Sequence, residues 1–224
     1  MKCFVLACLV LGLILILRQV NILIILFIPF LAGSFQNLRI GFNTVWGDKK
    51  ILLLGVFLFF GVSSIQSIIW YMQTGSFFLN TYQGEHFDFS NPQFYNILIS
   101  YKKGLFVYTP ILFISLLSII WLTYKRDFYL LTTWISYFVV LTYVLSSWWS
   151  WFYGCSYGLR AYIDFYAIFF IPFALMLDQA GTTIKSAVMA VSLFTIPLNI
   201  IQTYQYKEFI LHWIDMDKEK YWKV

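Results

Sequence analysis

The feature that most constrains this chain is its series of long apolar segments. Hydrophobic residues make up 61% of the 224 positions and charged residues only 11%, against about a quarter in soluble domains. A water-soluble fold could not bury this much apolar surface, so the sequence predicts an integral membrane protein. Five segments have the length that crosses a bilayer, about 17 to 25 residues, namely 51–72, 105–124, 128–147, 161–178 and 186–204.

A further apolar region at the beginning of the chain is interrupted by polar residues. Residues 3–33 are apolar apart from a break at Arg18, Gln19 and Asn21. A cation in the middle of one membrane helix would cost about 3 kcal/mol or more, so two short crossings that meet at Arg18 are favoured. The predicted fold class is therefore an all-α, polytopic membrane helix bundle with about seven transmembrane segments, two of them short.

The predicted organisation is one bundle followed by a tail. The bundle covers residues 1–204, with outer-face loops at 73–104 and 148–160, and residues 205–224 mix charge with aromatics as an interfacial amphipathic segment does. The distribution of Lys and Arg between the loops favours an orientation in which Lys2 lies on the cytoplasmic side and the loops 73–104 and 148–160 lie outside. The basic residues form no stripe, so a lipid headgroup or lipid phosphate is expected and nucleic acid is not.

The loop 148–160 holds the densest group of unusual residues. It could form part of an aromatic belt at headgroup depth. Alternatively, its aromatic faces could stack on a sugar while Arg160 binds a phosphate by paired hydrogen bonds. Gly154 and Gly158 favour this second interpretation, because they permit tight turns that a belt does not need. The candidate pocket residues are Trp148, Trp149, Trp151, Tyr153 and Tyr157.

Several other polar residues have both a structural and a functional interpretation. Asp164 follows Arg160 by four positions, where it could form an ion pair that orients the Arg or act as an acid or base. Lys102 and Lys103 could be snorkelling cations or a second phosphate contact. Glu85 stands in a loop with His86 and Asp88, but the spacing matches no metal site and a solvated loop is the simpler interpretation. No motif for a metal or another cofactor is present.

Four stretches together resemble a known group of membrane enzymes. The first is Leu-Gly-Leu-Ile-Leu-Ile-Leu-Arg-Gln-Val-Asn at 11–21. The others are 84–89 with 100–110, 148–160 with Asp164, and 199–206 with 210–213 and 216–222. In order and spacing they resemble the bacterial membrane glycosyltransferases of the GT-C superfamily, which include protein O-mannosyltransferases and aminoarabinose transferase.

This resemblance implies transfer of a sugar from a polyprenyl-phosphate donor to an acceptor at the outer face of the bacterial cytoplasmic membrane. The candidate phosphate contacts would be Arg18, Lys102, Lys103 and Arg160, and the loop aromatics would line the donor or acceptor pocket. Asn21 and Asp164 would support them.

Two departures from the family pattern bear on activity. Gln19 replaces the usual Pro, and no acidic residue precedes Asp48, whereas the family's catalytic carboxylate lies in an early outer loop. The chain therefore resembles the C-terminal part of such an enzyme, with a catalytic part that is missing or supplied by a partner subunit. Glu85 is a weak candidate substitute. The alternatives are a transporter or flippase of a lipid-linked or anionic substrate, and a non-catalytic membrane partner.

Overall fold

The computed structural model describes residues 2–78 and 84–223, which confirms the predicted all-α class. The described residues form helices and 3-10 segments and no strand, with one isolated antiparallel bridge between Phe87 and Trp148. They divide into two compact units, Met1–Glu85 and His86–Val224. Residues 79–83, within the predicted loop 73–104, lie outside the described part of the chain.

The described residues of the first unit form four α-helices and one 3-10 segment. Its two longest helices, α1 and α4, pack against each other along their lengths. The elements are α1 (Lys2–Leu17), the 3-10 segment Gln19–Phe27, α2 (Ile28–Ala32), α3 (Phe35–Gly47) and α4 (Lys49–Thr74).

The polar residues at position 18 and after do break the first apolar region. Helix α1 ends at Leu17, Arg18 has an extended backbone with φ −161° and ψ 108°, and the 3-10 segment begins at Gln19. The predicted break is confirmed. Its second half differs from the expected short α-helix, because nine of its residues are wound as a 3-10 helix before α2 begins.

Helices α1 and α4 run parallel, and two glycines allow their close approach. A Cβ on Gly12 would lie 3.0 Å from the carbonyl oxygen of Phe59, and one on Gly55 would lie 2.9 Å from Cys8 Sγ. Residues later in α1 contact residues later in α4, so the two helices run in the same direction. Lys2 and Lys49, which begin these helices, therefore lie at the same end of the unit. Residues 18–48 must therefore return the chain from the end of α1 to the start of α4.

The second unit is built around two helices, α9 (Phe128–Ser146) and α10 (Tyr166–Gln179). Trp134, Tyr137 and Leu141 on α9 are buried, as is Tyr162, which donates a hydrogen bond to Thr142 Oγ1 at 2.9 Å. Its elements are α5 (Phe94–Ile99), α6 (Leu105–Tyr108), α7 (Pro110–Ser115), α8 (Leu117–Lys125), α9 (Phe128–Ser146), the 3-10 segment Arg160–Phe165, α10 (Tyr166–Gln179), α11 (Thr182–Lys207) and α12 (Lys218–Lys223).

In the described part, four helical segments are long and apolar enough to cross a membrane, or up to five if the bent pair Gln19–Ala32 and Phe35–Gly47 forms one crossing. The four are Lys49–Thr74, Phe128–Ser146, Arg160–Gln179 and Thr182–Lys207. The predicted seven crossings are not confirmed. One cause is the predicted span 105–124, which is interrupted before Pro110 because residues that precede a proline avoid helical geometry, as Thr109 does with φ −138° and ψ 66°.

Candidate functional site

Three separate parts of the second unit meet at one place. They are residues 100–104 before α6, the loop 148–160 between α9 and the following 3-10 segment, and residues 211–222 after α11. Trp222 Nε1 lies 3.3 Å from the hydroxyl of Tyr101, and the rings of Phe152 and Trp213 lie 6.5 Å apart. Leu211 and Met216 are buried against Tyr108. The tail is thus packed into this unit.

Lys103 holds the loop to the start of α6. Its side chain is 1% exposed, and its ammonium donates to the carbonyl oxygen of Gly154 and to Ser156 Oγ, the latter at 3.0 Å. Within the described residues no acidic side chain forms a salt bridge with it. A Cβ on the neighbouring Gly104 would lie 2.5 Å from the backbone nitrogen of Ser100, so only glycine fits this turn.

This burial removes Lys103 from the group of accessible phosphate contacts that the sequence predicts. Burial lowers the pKa of its ammonium to about 8, and the positive charge of Arg160 lowers it too. Its hydrogen bonds point to the loop backbone and Ser156, so its task in this structure is to hold the loop. The phosphate role predicted from its place at a helix boundary does not fit a side chain that solvent barely reaches.

The neighbouring Lys102 differs from Lys103, because its side chain lies over aromatic rings. Its ammonium is 3.7 Å from the centre of the Phe152 ring and 5.9 Å from that of Trp151, which is within cation–π distance of both. We call Lys102, Trp151, Phe152 and Trp213 the cation–aromatic cluster. Burial lowers the pKa of Lys102, while the carboxylate of Asp215 raises it.

Arg160 stands on the same loop and is exposed. A Cβ on Gly154 would lie 3.7 Å from its Nη2, which sets the guanidinium beside the backbone that Lys103 holds. The side chain of Arg160 makes no hydrogen bond or ion pair with any other described residue, so all five of its N–H donors are available. The loop turns here through two consecutive left-handed residues, Tyr153 with φ 54° and Gly154 with φ 68°.

The predicted ion pair between Arg160 and Asp164 does not form in the described structure. Residues Arg160–Phe165 are a 3-10 helix, in which positions three apart share a side. Four positions in a 3-10 helix place Asp164 about 120° around the helix from Arg160, whereas in an α-helix the two would be neighbours. Asp164 is exposed.

The five aromatic residues predicted to line a pocket have different packing and hydrogen-bond partners. Trp148 packs edge-on against Phe87 with ring centres 4.8 Å apart, and Tyr153 donates from its hydroxyl to the carbonyl oxygen of Leu145 at 2.8 Å. Trp149 is 53% exposed. Trp151 belongs to the cation–aromatic cluster.

Tyr157 joins a hydrogen-bond network that the sequence analysis missed. Its Oη lies 2.8 Å from Gln202 Oε1 and 3.1 Å from the carbonyl oxygen of Tyr108. Gln202 is 5% exposed and donates in turn to the hydroxyl of Tyr221 on α12 at 2.6 Å. Burial raises the pKa of both Tyr157 and Tyr221. The sequence does contain one sign of this network, the amide of Gln202 in the apolar span 186–204, because a buried amide requires a hydrogen-bond partner.

A cavity of about 400 Å³ lies beside this network, with α11 on one side and Ile111 of α7 on the other. Its lining is mostly apolar, with a polar edge on α11. The nitrogen Nδ2 of Asn199 is buried and finds no acceptor among the described residues. The lining residues are Ile111, Tyr157, Thr195, Ile196, Asn199, Ile200 and Thr203.

The remaining predicted site residues belong to the first unit. Arg18 is the residue of the helix break, and Asn21 lies in the first turn of the 3-10 segment, where its N–H donates to the carbonyl oxygen of Arg18 at 3.0 Å. Glu85 is exposed. Among described residues no group of three His, Cys, Asp or Glu side chains could hold a metal ion.

The tail also brings an imidazole and a carboxylate close to the cluster. His212 Nδ1 accepts from the backbone N–H groups of Ile214 and Asp215, at 3.2 and 3.1 Å, so a neutral His212 carries its proton on Nε2. The carboxylate of Asp215 lies 3.6 Å from the same nitrogen. Neither residue stands out in the sequence, because both lie in a segment that looks like an amphipathic tail.

Comparison of the chain with protein-family models, with curated proteins and with solved structures gave no match.

Proposed function

We propose that this chain binds a polyprenyl-phosphate-linked sugar at the outer face of the bacterial cytoplasmic membrane, as a glycosyltransferase of the GT-C type or as part of one. It is a multi-pass membrane protein in this proposal. The proposal rests on the contents of the candidate site and on the four stretches of resemblance.

The observation that carries the proposal is the cation–aromatic cluster, with Arg160 on the same loop as Trp151 and Phe152. Lys102 and Arg160 offer a positive ammonium and five guanidinium donors, which suit the oxygens of a phosphate. Trp151 and Trp213 offer aromatic faces next to them, which suit the C–H faces of a sugar. The loop that carries Arg160 joins two apolar helices of membrane-crossing length, α9 and the segment Arg160–Gln179, so a lipid-linked phosphate would arrive at this depth.

The chain's own residues would stabilise the departing group. In the transfer, the bond between sugar carbon C1 and the phosphate oxygen breaks, and a bond forms between C1 and an acceptor oxygen. The acceptor's proton passes to a general base, and the electron pair of the broken bond leaves with the lipid phosphate. Lys102 and Arg160 would stabilise that negative charge. The apolar part of the neighbouring cavity suits a prenyl chain.

Photo-crosslinking tests the site assignment. A polyprenyl-phosphate hexose with a photoreactive group near the phosphate is added to the full chain in bilayers, and the labelled peptides are mapped. We expect label on residues 148–160 and 211–217, and a large loss of labelling in Arg160→Ala and Lys102→Ala. The matched control is Lys207→Ala, a cation with a 78% exposed side chain in the same unit, which should label like the wild type.

The other outcomes discriminate between the alternatives. Labelling that is absent, or that Arg160→Ala and Lys102→Ala leave unchanged, would remove the proposed site. Labelling of the site without sugar transfer, even with an acceptor present, would favour a non-catalytic binding partner. A site that a membrane-impermeant reagent reaches in turn from each face would favour a transporter.

A further inference from the structure

Helix α3 carries a continuous apolar stripe that the proposed function does not use. At about 100° per residue, its five large apolar residues other than Ile40 fall within a stripe about 100° wide. The opposite side carries amides, a hydroxyl and Ile40. The stripe residues are Phe35, Leu38, Phe42, Val45 and Trp46, and the polar ones are Gln36, Asn37, Asn43 and Thr44.

The unit to which α3 belongs leaves the three aromatic residues of this stripe exposed, while Leu38 and Val45 are half-buried. Phe35, Phe42 and Trp46 are 68%, 67% and 65% exposed, and no residue of α3 is buried. Phe42 and Trp46 stack on each other at 6.2 Å with their planes 15° apart, which makes a flat aromatic surface. A stripe of this size on an otherwise polar helix marks an interaction surface.

The position of α3 in the chain indicates that lipid covers the stripe. It follows the segment Gln19–Ala32 after a bend of 120°, and the Ser34 side chain caps its first turn by accepting from the N–H of Asn37. It ends at Gly47, and after Asp48 the membrane-length helix α4 begins. A helix joined to the start of a crossing, and bent sharply from the apolar segment before it, lies at the edge of the bilayer.

The charges at this end of the unit select an anionic lipid surface. Because α1 and α4 run parallel, Lys2 stands at the same end as Lys49 and Lys50, and Arg39 lies on α3 itself. Asp48 is the one acid between residues 1 and 50, and its carboxylate accepts from the N–H of Ile51 at 3.2 Å as the cap of α4. Clusters of cations beside a membrane helix attract anionic headgroups.

We propose that α3 lies in the plane of the membrane. Its stripe enters the boundary between headgroups and acyl chains to a depth of roughly 5–10 Å. Arg39, Lys49 and Lys50 bind the phosphates of anionic phospholipids. This inference does not depend on the sugar-binding proposal, because it concerns residues of the first unit only.

Adjacent positions on the two faces of α3 provide a matched test. Val45→Cys, on the stripe, and Thr44→Cys, on the polar face, are made in the full chain with Cys3, Cys8 and Cys155 replaced by Ala. Each is labelled with an environment-sensitive fluorophore in vesicles of phosphatidylethanolamine and phosphatidylglycerol. We expect the label at position 45 to be shielded from aqueous iodide and quenched by a spin label high on the acyl chain. The label at position 44 should show the reverse.

Three results would overturn the in-plane position. Equal iodide quenching at both positions would put α3 in water. Strong quenching of both by a spin label at the bilayer centre would make α3 part of a crossing. Shielding of position 45 from both quenchers would mean that protein covers the stripe.

The charge requirement is tested by a second variant. The triple change Arg39→Gln, Lys49→Gln and Lys50→Gln is compared with the parent in vesicles of phosphatidylglycerol and of phosphatidylcholine. We expect the parent to shield position 45 more strongly in phosphatidylglycerol and the triple variant to lose that difference. A difference that survives the triple change would overturn the anionic preference.

Discussion

Two neighbouring residues, Lys102 and Lys103, show how far the sequence could be interpreted at the scale of single side chains. Both stand at a helix boundary and both are predicted as phosphate contacts. In the structure Lys102 lies over Phe152, while Lys103 is buried and bound to Gly154 and Ser156. The difference arises from a loop about fifty positions away in the sequence. No local pattern could separate the two, since burial depends on which loop packs there.

The burial of Lys103 predicts a pH dependence of stability. Its pKa is lowered to about 8 in the folded chain from an ordinary 10.5. Between these two values the unfolded chain keeps a proton that the folded chain has released, so the free energy of unfolding rises with pH in this window. Below about pH 8 Lys103 is protonated in both the folded and the unfolded chain, so the cost of burying its charge lowers the free energy of unfolding in full.

Thermal unfolding in detergent from pH 7.5 to 10.5 measures this effect. The wild type should gain stability with rising pH relative to Lys103→Met, in which the titrating group is gone. Lys207→Met, which removes a cation with a 78% exposed side chain, should keep the wild-type dependence. An unchanged gain in Lys103→Met would show that the charge of Lys103 is not the cause.

At the scale of helices, the apolar segments were the reliable signal. Four predicted crossings reappear as α4, α9, Arg160–Gln179 and α11, because length and hydropathy alone define them. The break at Arg18 is also confirmed. Two helical features were missed. Helix α3 has an amphipathic pattern in a segment between two predicted crossings, for which no helix was predicted. The 3-10 geometry after Arg160 has no clear sequence signal.

The parallel packing of α1 on α4 predicts a specific cross-link. A Cβ on Gly55 would lie 2.9 Å from Cys8 Sγ, so a thiol one bond further out can reach disulfide distance. Gly55→Cys should therefore form a disulfide with Cys8 on oxidation, in a chain with Cys3 and Cys155 replaced by Ala. Loss of labelling by a maleimide polymer after denaturation measures it.

Gly61→Cys is the matched control on the same helix. A Cβ there meets no atom within 4 Å, so both of its thiols should stay free under the same oxidation. Equal cross-linking of the two variants, or none in Gly55→Cys, would contradict the register in which α1 and α4 pack.

At the scale of the whole molecule, the composition predicted the class of protein, but the number of crossings did not follow from counting apolar runs. The described helices allow four or five crossings, because the apolar helices Lys2–Leu17 and Pro110–Lys125 are shorter than 18 residues and Gln19–Ala32 passes only together with Phe35–Gly47, from which it is bent by 120°. The candidate site was predicted in outline. The loop 148–160, Lys102 and Arg160 do meet in the second unit, but the tail that completes the cluster with Trp213 was expected to lie apart in the interface.

The most direct test of the central claim is the affinity of the full chain, in bilayer nanodiscs, for a polyprenyl-phosphate hexose. Arg160→Ala and Lys102→Ala should each weaken binding about tenfold, as expected for the loss of a charge-assisted contact. Lys207→Ala should bind like the wild type, and free polyprenol, which lacks the phosphate, should bind far more weakly. Equal affinity of the wild type and both site variants, or equal affinity for polyprenol, would contradict the claim.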